Sequence, residues 1–106
     1  MRQDMSSKKP ACTREGLKIF GDAWTLFIFS SLADGEKRFC ELQRRLDNIN
    51  PVTLTSRLKK LEKLGFIQRK EELIDKLSVS YCLTKKGEGT LPILREIEHY
   101  AKKYLN

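Results

Sequence analysis

Two short amphipathic segments that are separated by only a few residues constrain the fold of this chain most. In residues 37–46, apolar side chains recur at the spacing of one helix face. A second helix starts after Asn50, an N-cap residue that is followed by Pro51 at the first helical position, and it ends at Gly65. Because helices joined by so short a turn do not readily lie antiparallel, the pair predicts a helix-turn-helix.

The residues before this pair predict two further helices. Thr13 can cap a short helix over residues 14–20. Residues 23–33 are apolar nearly all round, which is typical of a helix buried on most sides, and Asp22 is its expected N-cap. We expect the chain up to residue 11 to form a flexible arm, because it shows no periodic apolar pattern.

The residues after the pair predict a β-hairpin and a final helix. Residues 66–69 and 78–83 have the composition of short strands, and they flank a polar tip over residues 70–76. Thr84 can cap the final helix. Pro92 lies inside this helix, so the pattern implies either a kink or a helix that restarts near Pro92.

The predicted order of elements is four helices, a hairpin and a last helix, which is typical of a winged helix-turn-helix. The predicted fold class is therefore mainly α with a small β-hairpin, and additional N- and C-terminal helices form a dimer interface. We expect one DNA-binding domain over residues 12–106, after the flexible N-terminal arm over residues 1–11. In such a domain the fourth helix enters the DNA major groove and the hairpin reaches the flanking backbone.

The charge of the chain favours nucleic acid as a partner. Its 106 residues include 21 Lys and Arg against 14 Asp and Glu, a net charge of +7, and such an excess attracts polyanions. The longest apolar-rich run, residues 24–32, is too short to cross a bilayer, and the N-terminus lacks the apolar stretch of a secretory signal. We therefore expect a cytoplasmic protein.

Helical geometry places basic side chains of the fourth helix opposite its leucines. Its N-terminal end is the part that reaches base edges, and its lysines fit phosphate contacts better. The predicted DNA-binding residues are Val52, Thr53, Ser56, Arg57, Lys59, Lys60 and Lys63 on this helix, Arg38 on the helix before it, and Arg69 and Lys76 in the hairpin. The alternative is that these side chains are solvated surface charges.

Four separated sequence blocks resemble one family of regulators. In chain order they are FGDAWTL (residues 20–26), RFCEL (38–42), LTSRLKKLEKLG (54–65) and YCLTKKG (81–87). Together they resemble HxlR-type transcriptional regulators, and the last two blocks are shared with the broader MarR-like winged helices. The resemblance implies a homodimeric prokaryotic repressor or activator that binds double-stranded DNA at a palindromic operator.

The last helix independently predicts a homodimer, because its apolar stripe exceeds what one small core needs. The stripe could pack against a symmetry mate and against the first helix in a two-fold interface. The predicted interface residues are Leu17, Phe20, Leu91, Leu94, Ile97, Ala101 and Tyr104. The alternative is that they only close the core of the monomer. A two-fold dimer would place its recognition helices about one DNA turn apart, which predicts inverted-repeat half-sites.

The three cysteines have spacings that suit neither a disulfide framework nor zinc ligands, so we expect reduced thiols. Cys12 lies just ahead of a predicted helix start among basic residues, a setting typical of reactive thiols. Similar regulators of the family include thiol-based sensors, so the resemblance implies that modification of Cys12 could switch DNA binding. A small, partly buried Cys12 without a sensing role is the alternative. We expect Cys40 and Cys82 to fill the core.

The sequence offers no set of catalytic residues. We find no Ser-His-Asp combination, no glycine-rich phosphate loop and no catalytic carboxylate pair, and the single His99 has no second ligand at a metal spacing. We therefore expect no enzymatic activity, no cofactor and no metal. A small-molecule or electrophile inducer is compatible with the sequence. The alternative function is a winged-helix protein-interaction module with little DNA affinity.

Overall fold

A computed structural model of the protein describes residues 10–73 and 77–105. The helices are α1 (Pro10–Phe20), α2 (Ala23–Leu32), α3 (Phe39–Arg45), α4 (Pro51–Lys63), α5 (Lys85–Glu88) and α6 (Leu91–Tyr104). The strands are β1 (Lys37–Arg38), β2 (Ile67–Leu73) and β3 (Leu77–Leu83), and they form an antiparallel sheet in the order β1-β3-β2. The predicted winged helix-turn-helix is confirmed.

The hydrophobic core lies where α2, α3 and α4 pack against one another and against the sheet. The helix α2 contributes Ile28, Phe29 and Leu32, which are at most 2% exposed. The buried side chains of the other elements and their loops are Leu42, Leu46, Ile49, Leu54, Leu58, Leu61, Phe66, Ile67 and Tyr81. Phe27 on α2 points away from this core and is 53% exposed. The core helix is therefore buried on most sides but not on all.

Local signals set both ends of α4, as the sequence predicts. The Asn50 side chain accepts hydrogen bonds from the backbone N–H groups of Val52 (2.8 Å) and Thr53 (3.4 Å), which otherwise lack helical partners. Pro51 occupies the first turn, where its missing N–H costs nothing. At the other end Gly65 has a φ of 87°, which a residue with a Cβ rarely adopts.

The segment before α3 differs from the prediction. Residues 37 and 38 form the short strand β1, which pairs with Tyr81 and Ser80 of β3, and α3 starts only at Phe39. The ammonium group of Lys37 is buried and donates to Asp34 Oδ1 at 2.9 Å and to the Gly35 carbonyl oxygen at 3.1 Å. The predicted first helical turn is lost because this backbone completes the sheet.

Helix α1 begins earlier than the prediction. Pro10, inside the predicted arm, is already helical, so Thr13 is not the cap of this helix. A proline in the first turn removes no intrahelical hydrogen bond, so Pro10 is compatible with the earlier start. Residues 1–9 of the predicted arm lie outside the described residues. In the part of the chain that the structure describes, no helix is both long enough and apolar enough to span a membrane.

The hairpin and the C-terminal helices have the predicted order but differ from the prediction in their lengths. The strands are longer than expected, so much of the predicted tip is paired, while residues 74–76 lie outside the described part of the chain. The Thr84 hydroxyl accepts from the Gly87 N–H at 3.1 Å, but it caps only the short α5. The final helix then starts again at Leu91 with Pro92 in its first turn. Of the two alternatives, a restart is confirmed.

Candidate nucleic-acid interface

Helix α4 presents an apolar face to the core and a polar, basic face to the outside. Leu54, Leu58 and Leu61 are at most 1% exposed and hold the helix against the core. The opposite face carries six of the predicted side chains, which are exposed except for the half-buried Thr53: Val52, Thr53, Ser56, Lys59, Lys60 and Lys63. The structure therefore brings these six residues together on one accessible surface, which we call the α4 face.

The N-terminal half of the α4 face has the chemistry that suits base edges. A shallow hollow there is lined by Pro51, Val52, Thr55, Ser56 and Lys59. Val52 is 76% exposed, and an apolar group can contact a thymine methyl while hydroxyl groups donate or accept hydrogen bonds. Thr55 is absent from the predicted set. Its signal was its position three residues after Val52, which places it on the same side of the helix.

The lysines of the α4 face keep their charge available. Within residues 10–73 and 77–105, none of Lys59, Lys60 and Lys63 forms an ion pair. The only acidic residue in α4 is Glu62. Phosphate contacts by lysine release counterions from DNA, and this release dominates affinity.

Arg57 occupies a different position from the lysines. Its Nε donates to Asp22 Oδ2 at 2.6 Å, and the two side chains are only 33% and 27% exposed. Partial burial raises the pKa of the Asp22 carboxyl, but hydrogen bonds from Arg57 and Thr25 outweigh this effect and hold the pKa below its usual value. The guanidinium of Arg57, a predicted DNA contact, is therefore paired with the carboxylate that precedes α2, and its role in DNA binding stays a prediction.

Arg38 lies on β1 and not on a helix. Its Nε donates to the Ser78 hydroxyl of β3 at 3.1 Å, and its Nη2 donates to the same oxygen. The side chain remains exposed. Arg38 is thus held against the hairpin, beside the wing and not within the helix-turn-helix.

The two basic residues that the structure describes in the wing, the hairpin β2–β3, are paired with carboxylates. Arg69 forms an ion pair with Glu71 on the same strand, and this contact raises the pKa of the guanidinium. Lys70 Nζ lies 3.3 Å from Glu36 Oε1. Lys76 lies outside the described residues. The described wing therefore carries little uncompensated positive charge.

Glu36 also fixes the wing to the loop before β1. Its carboxylate accepts a hydrogen bond from the Ser80 hydroxyl at 2.7 Å in addition to the bond from Lys70. These two hydrogen bonds hold the pKa of the Glu36 carboxyl below its usual value. The carboxylate is consequently ionised near neutral pH, and it keeps the positive charge of Lys70 compensated.

The predicted interface residues lie on α6 and α1. None of the described side chains of α6 is buried. Phe20 is half-buried and packs against Phe29, with ring centroids 6.4 Å apart. The remaining members are half-buried (Leu91, Leu94, Ala101) or largely exposed (Leu17, Ile97, Tyr104). The exposed Ile93 and Tyr100 on α6 lie outside the predicted set. Much of the apolar stripe therefore stays uncovered in the single chain, and the dimer interface stays a prediction.

The three thiols differ in exposure. Cys12 is exposed, and it lies within α1 instead of ahead of the helix. Cys40 is also exposed, so the prediction that it fills the core is wrong. Cys40 is the second residue of α3. The side chains of α3 that face the core are those of Phe39 and Leu42. Cys82 on β3 is half-buried.

The fold and the exposed α4 face define a winged-helix DNA-binding protein. A model of the HxlR-like helix-turn-helix family matches residues 19–106. The chain therefore belongs to this family, as its sequence blocks indicated, and it is a transcriptional regulator.

Known proteins agree with this assignment. An uncharacterised HTH-type transcriptional regulator of Methanothermobacter thermautotrophicus is 34% identical over 102 residues, covering 95% of this chain and 78% of the relative. The crystal structure of a MarR-family transcriptional regulator from Porphyromonas gingivalis W83 has a TM-score of 0.81 and 33% identity, over 87% of this chain and 90% of that one.

A third similar protein is described as a redox regulator. The reduced form of HypR has a TM-score of 0.82 and 28% identity, over 89% of this chain and 93% of that one. Its oxidised form has a TM-score of 0.80 at the same 28% identity. The fold of this chain is thus similar to that of a regulator solved in both redox states.

Proposed function

We propose that this regulator acts in the cytoplasm as a homodimer that binds a palindromic operator in double-stranded DNA. The observation that carries the proposal is the α4 face, on which base-reading and basic side chains are exposed together. In this arrangement α4 enters the major groove. Arg38, Arg69 and Lys76 are the further candidates for DNA contacts. The chain has no enzymatic role in this proposal.

The roles divide along α4. Val52, Thr53 and Ser56 lie in its N-terminal half, the end that reaches base edges in a helix-turn-helix. Lys59, Lys60 and Lys63 follow in its C-terminal half, where long ammonium side chains suit the phosphate backbone. The first group determines the preferred sequence, and the second group supplies affinity that falls with salt.

The exposed face of α6 supports the dimer. Ile97, Tyr100 and Tyr104 are 46%, 59% and 61% exposed, and large apolar side chains clustered on one helix are typical of an interface. Leu17 of α1 adds a further exposed apolar group at 65%. A two-fold axis through this region would give each operator half-site one α4 helix.

The experiment is fluorescence anisotropy of the reduced protein on the DNA upstream of its own gene and on a scrambled duplex, across a salt series. Specific binding requires tighter binding to the upstream DNA and a steep loss with salt. A duplex that the protein selects from a randomised library replaces the upstream DNA if the operator is elsewhere. No binding to any duplex at low salt would contradict the proposal and would favour the protein-interaction module.

Charge reversal locates the DNA surface. Lys60→Glu combined with Lys63→Glu should abolish operator binding while the fold remains normal, because both side chains are exposed on the α4 face. The matched control is Lys18→Glu with Lys85→Glu, which makes the same charge change at exposed positions on α1 and α5. Unchanged operator affinity in the α4 variant would refute the assignment of the DNA surface.

We further propose that Cys12 makes DNA binding responsive to thiol oxidation. Its thiol is exposed on α1, the helix that also carries the proposed dimer interface residue Leu17, and the similar protein HypR is described as a redox regulator. Peroxide should weaken operator binding of the wild-type protein and of Cys40→Ser, but not of Cys12→Ser. An unaltered response in Cys12→Ser would exclude this role.

A further inference from the structure

One ion pair connects the N-terminal end of α2 to the middle of α4. Asp22 is the residue that precedes α2, yet its carboxylate makes no capping hydrogen bond. Its Oδ2 instead accepts from the Thr25 hydroxyl at 2.8 Å and from Arg57 Nε at 2.6 Å. Among the ion pairs of the described residues, this is the one in which both side chains are at most one-third exposed.

The position of Arg57 on α4 separates it from the DNA-facing lysines. It directly precedes the buried Leu58 and follows Leu54 by three residues, so it lies beside the inward face. Hydrophobic burial is non-directional. A guanidinium hydrogen bond has a preferred direction, so the contact with Asp22 joins α4 to the start of α2 with a defined geometry.

We propose that Arg57 is a positioning residue that orients the α4 face through Asp22, and that it does not bind a DNA phosphate. This inference rests on the proposed DNA-binding function. A phosphate that approached Arg57 would also approach the Asp22 carboxylate, and like charges repel. None of the exposed lysines of α4 forms an ion pair with a carboxylate among the described residues.

The two roles predict opposite effects of removing Asp22. If Arg57 bound phosphate, Asp22→Ala would release its guanidinium and remove a negative charge, so DNA binding would tighten. If Arg57 positions α4, Asp22→Ala removes its anchor and weakens binding although the net charge becomes more positive. The exposed Glu88 provides a control, because Glu88→Ala makes the same charge change on α5.

The test uses a duplex that the wild-type protein selects from a randomised library, with affinity measured by anisotropy in a salt series. We expect Asp22→Ala and Arg57→Ala each to weaken binding about tenfold, within the range for one lost base contact. The double variant should be about as weak as either single variant, because the residues act as a unit. The dependence of log affinity on log salt should stay the same in Arg57→Ala.

Two results would overturn the inference. One is unchanged or tighter binding by Asp22→Ala, and the other is a salt slope in Arg57→Ala that is smaller by about 0.9, the value for one phosphate contact. Circular dichroism checks that each variant is folded. If Asp22→Ala is not, Asp22→Asn takes its place, since its amide oxygen can still accept from Thr25, and a several-fold loss is expected. Lys60→Glu with Lys63→Glu on the same duplex tests the DNA-binding function independently.

Discussion

The α4 face and the wing both carry basic side chains, but among the described residues those of the α4 face are unpaired and those of the wing are paired with carboxylates. Lys59, Lys60 and Lys63 are exposed without an ionic partner in the described part of the chain, whereas Arg69 and Lys70 of the wing are paired with Glu71 and Glu36. A count of Lys and Arg along the sequence treats the two regions almost alike. The difference shows that the position of the carboxylates decides which region attracts DNA.

The largest effect should come from removing the lysines of α4. Lys59→Ala, Lys60→Ala and Lys63→Ala together should reduce the salt slope of operator binding by roughly 3, because each phosphate contact contributes about 0.9. The affinity at physiological salt should fall by about 100-fold or more. Anisotropy across a salt series measures both quantities. The comparison variant is Arg69→Ala with Lys70→Ala. An equal loss of affinity in this variant would show that the wing and the α4 face contribute equally to DNA binding.

The ion pair that holds α4 should make stability depend on pH. Because the pKa of Asp22 is lower in the folded protein than its ordinary value of 3.8, the unfolded chain binds more protons at low pH. The stabilisation is therefore present above pH 3.8 and is lost as the pH falls through the folded pKa. Thermal unfolding of wild type and Asp22→Asn should differ by about 1 kcal/mol at pH 6.

The difference in stability between the same two proteins should shrink as the pH falls below 3.8, because protonated Asp22 no longer attracts Arg57. A stability difference that persists undiminished to pH 3 would show that the charge of Asp22 is not the cause. Glu41→Gln, which changes a half-buried carboxylate on α3, is a suitable control for the general effect of charge removal.

Removal of the carboxylates that pair with the wing should strengthen DNA binding. Glu71→Gln releases Arg69, and Glu36→Gln releases Lys70, so each variant adds one available positive charge to the wing. We expect affinity to rise about threefold at low salt, because exposed pairs are weak and solvent-screened. Glu88→Gln controls for net charge. A gain that is as large in the control would mean that the wing is no closer to DNA than α5.

Val52→Ala should have the smallest effect of these variants. It should leave the free energy of unfolding nearly unchanged and alter only the preference for the operator sequence. The side chain is 76% exposed, so the free energy of unfolding should change by less than about 0.5 kcal/mol. Selection from a randomised duplex library should nevertheless show a weaker preference at one operator position, where a thymine methyl is contacted. A change in melting temperature without a change in preference would assign Val52 to the fold and not to recognition.

Elements with local signals could be predicted closely. Asn50, Pro51 and Gly65 specify the ends of α4 through their own backbone and side-chain chemistry, and the leucine spacing specifies which face is buried. The exposed α4 face follows from these features alone. The restart of the last helix near Pro92 was one of two alternatives that proline geometry allows.

Features that join distant residues could not be predicted in the same way. The strand β1 has only two residues and exists because it pairs with Tyr81 and Ser80, for which residues 37 and 38 contain no local signal. The contact between Asp22 and Arg57 joins residues 35 positions apart. Both depend on how α2, α4 and the hairpin pack, which is tertiary information.

The sheet order β1-β3-β2 also has a consequence for synthesis on the ribosome. The central strand β3 is the last of the three in the chain, so neither β1 nor β2 has a neighbour until residues 77–83 have emerged. Up to that point α2, α3 and α4 can pair with one another, but the side of the core that the sheet covers stays open to water. A nascent chain that stalls before Tyr81 should therefore be a good substrate for chaperones, because completion of β3 is what covers this side of the core.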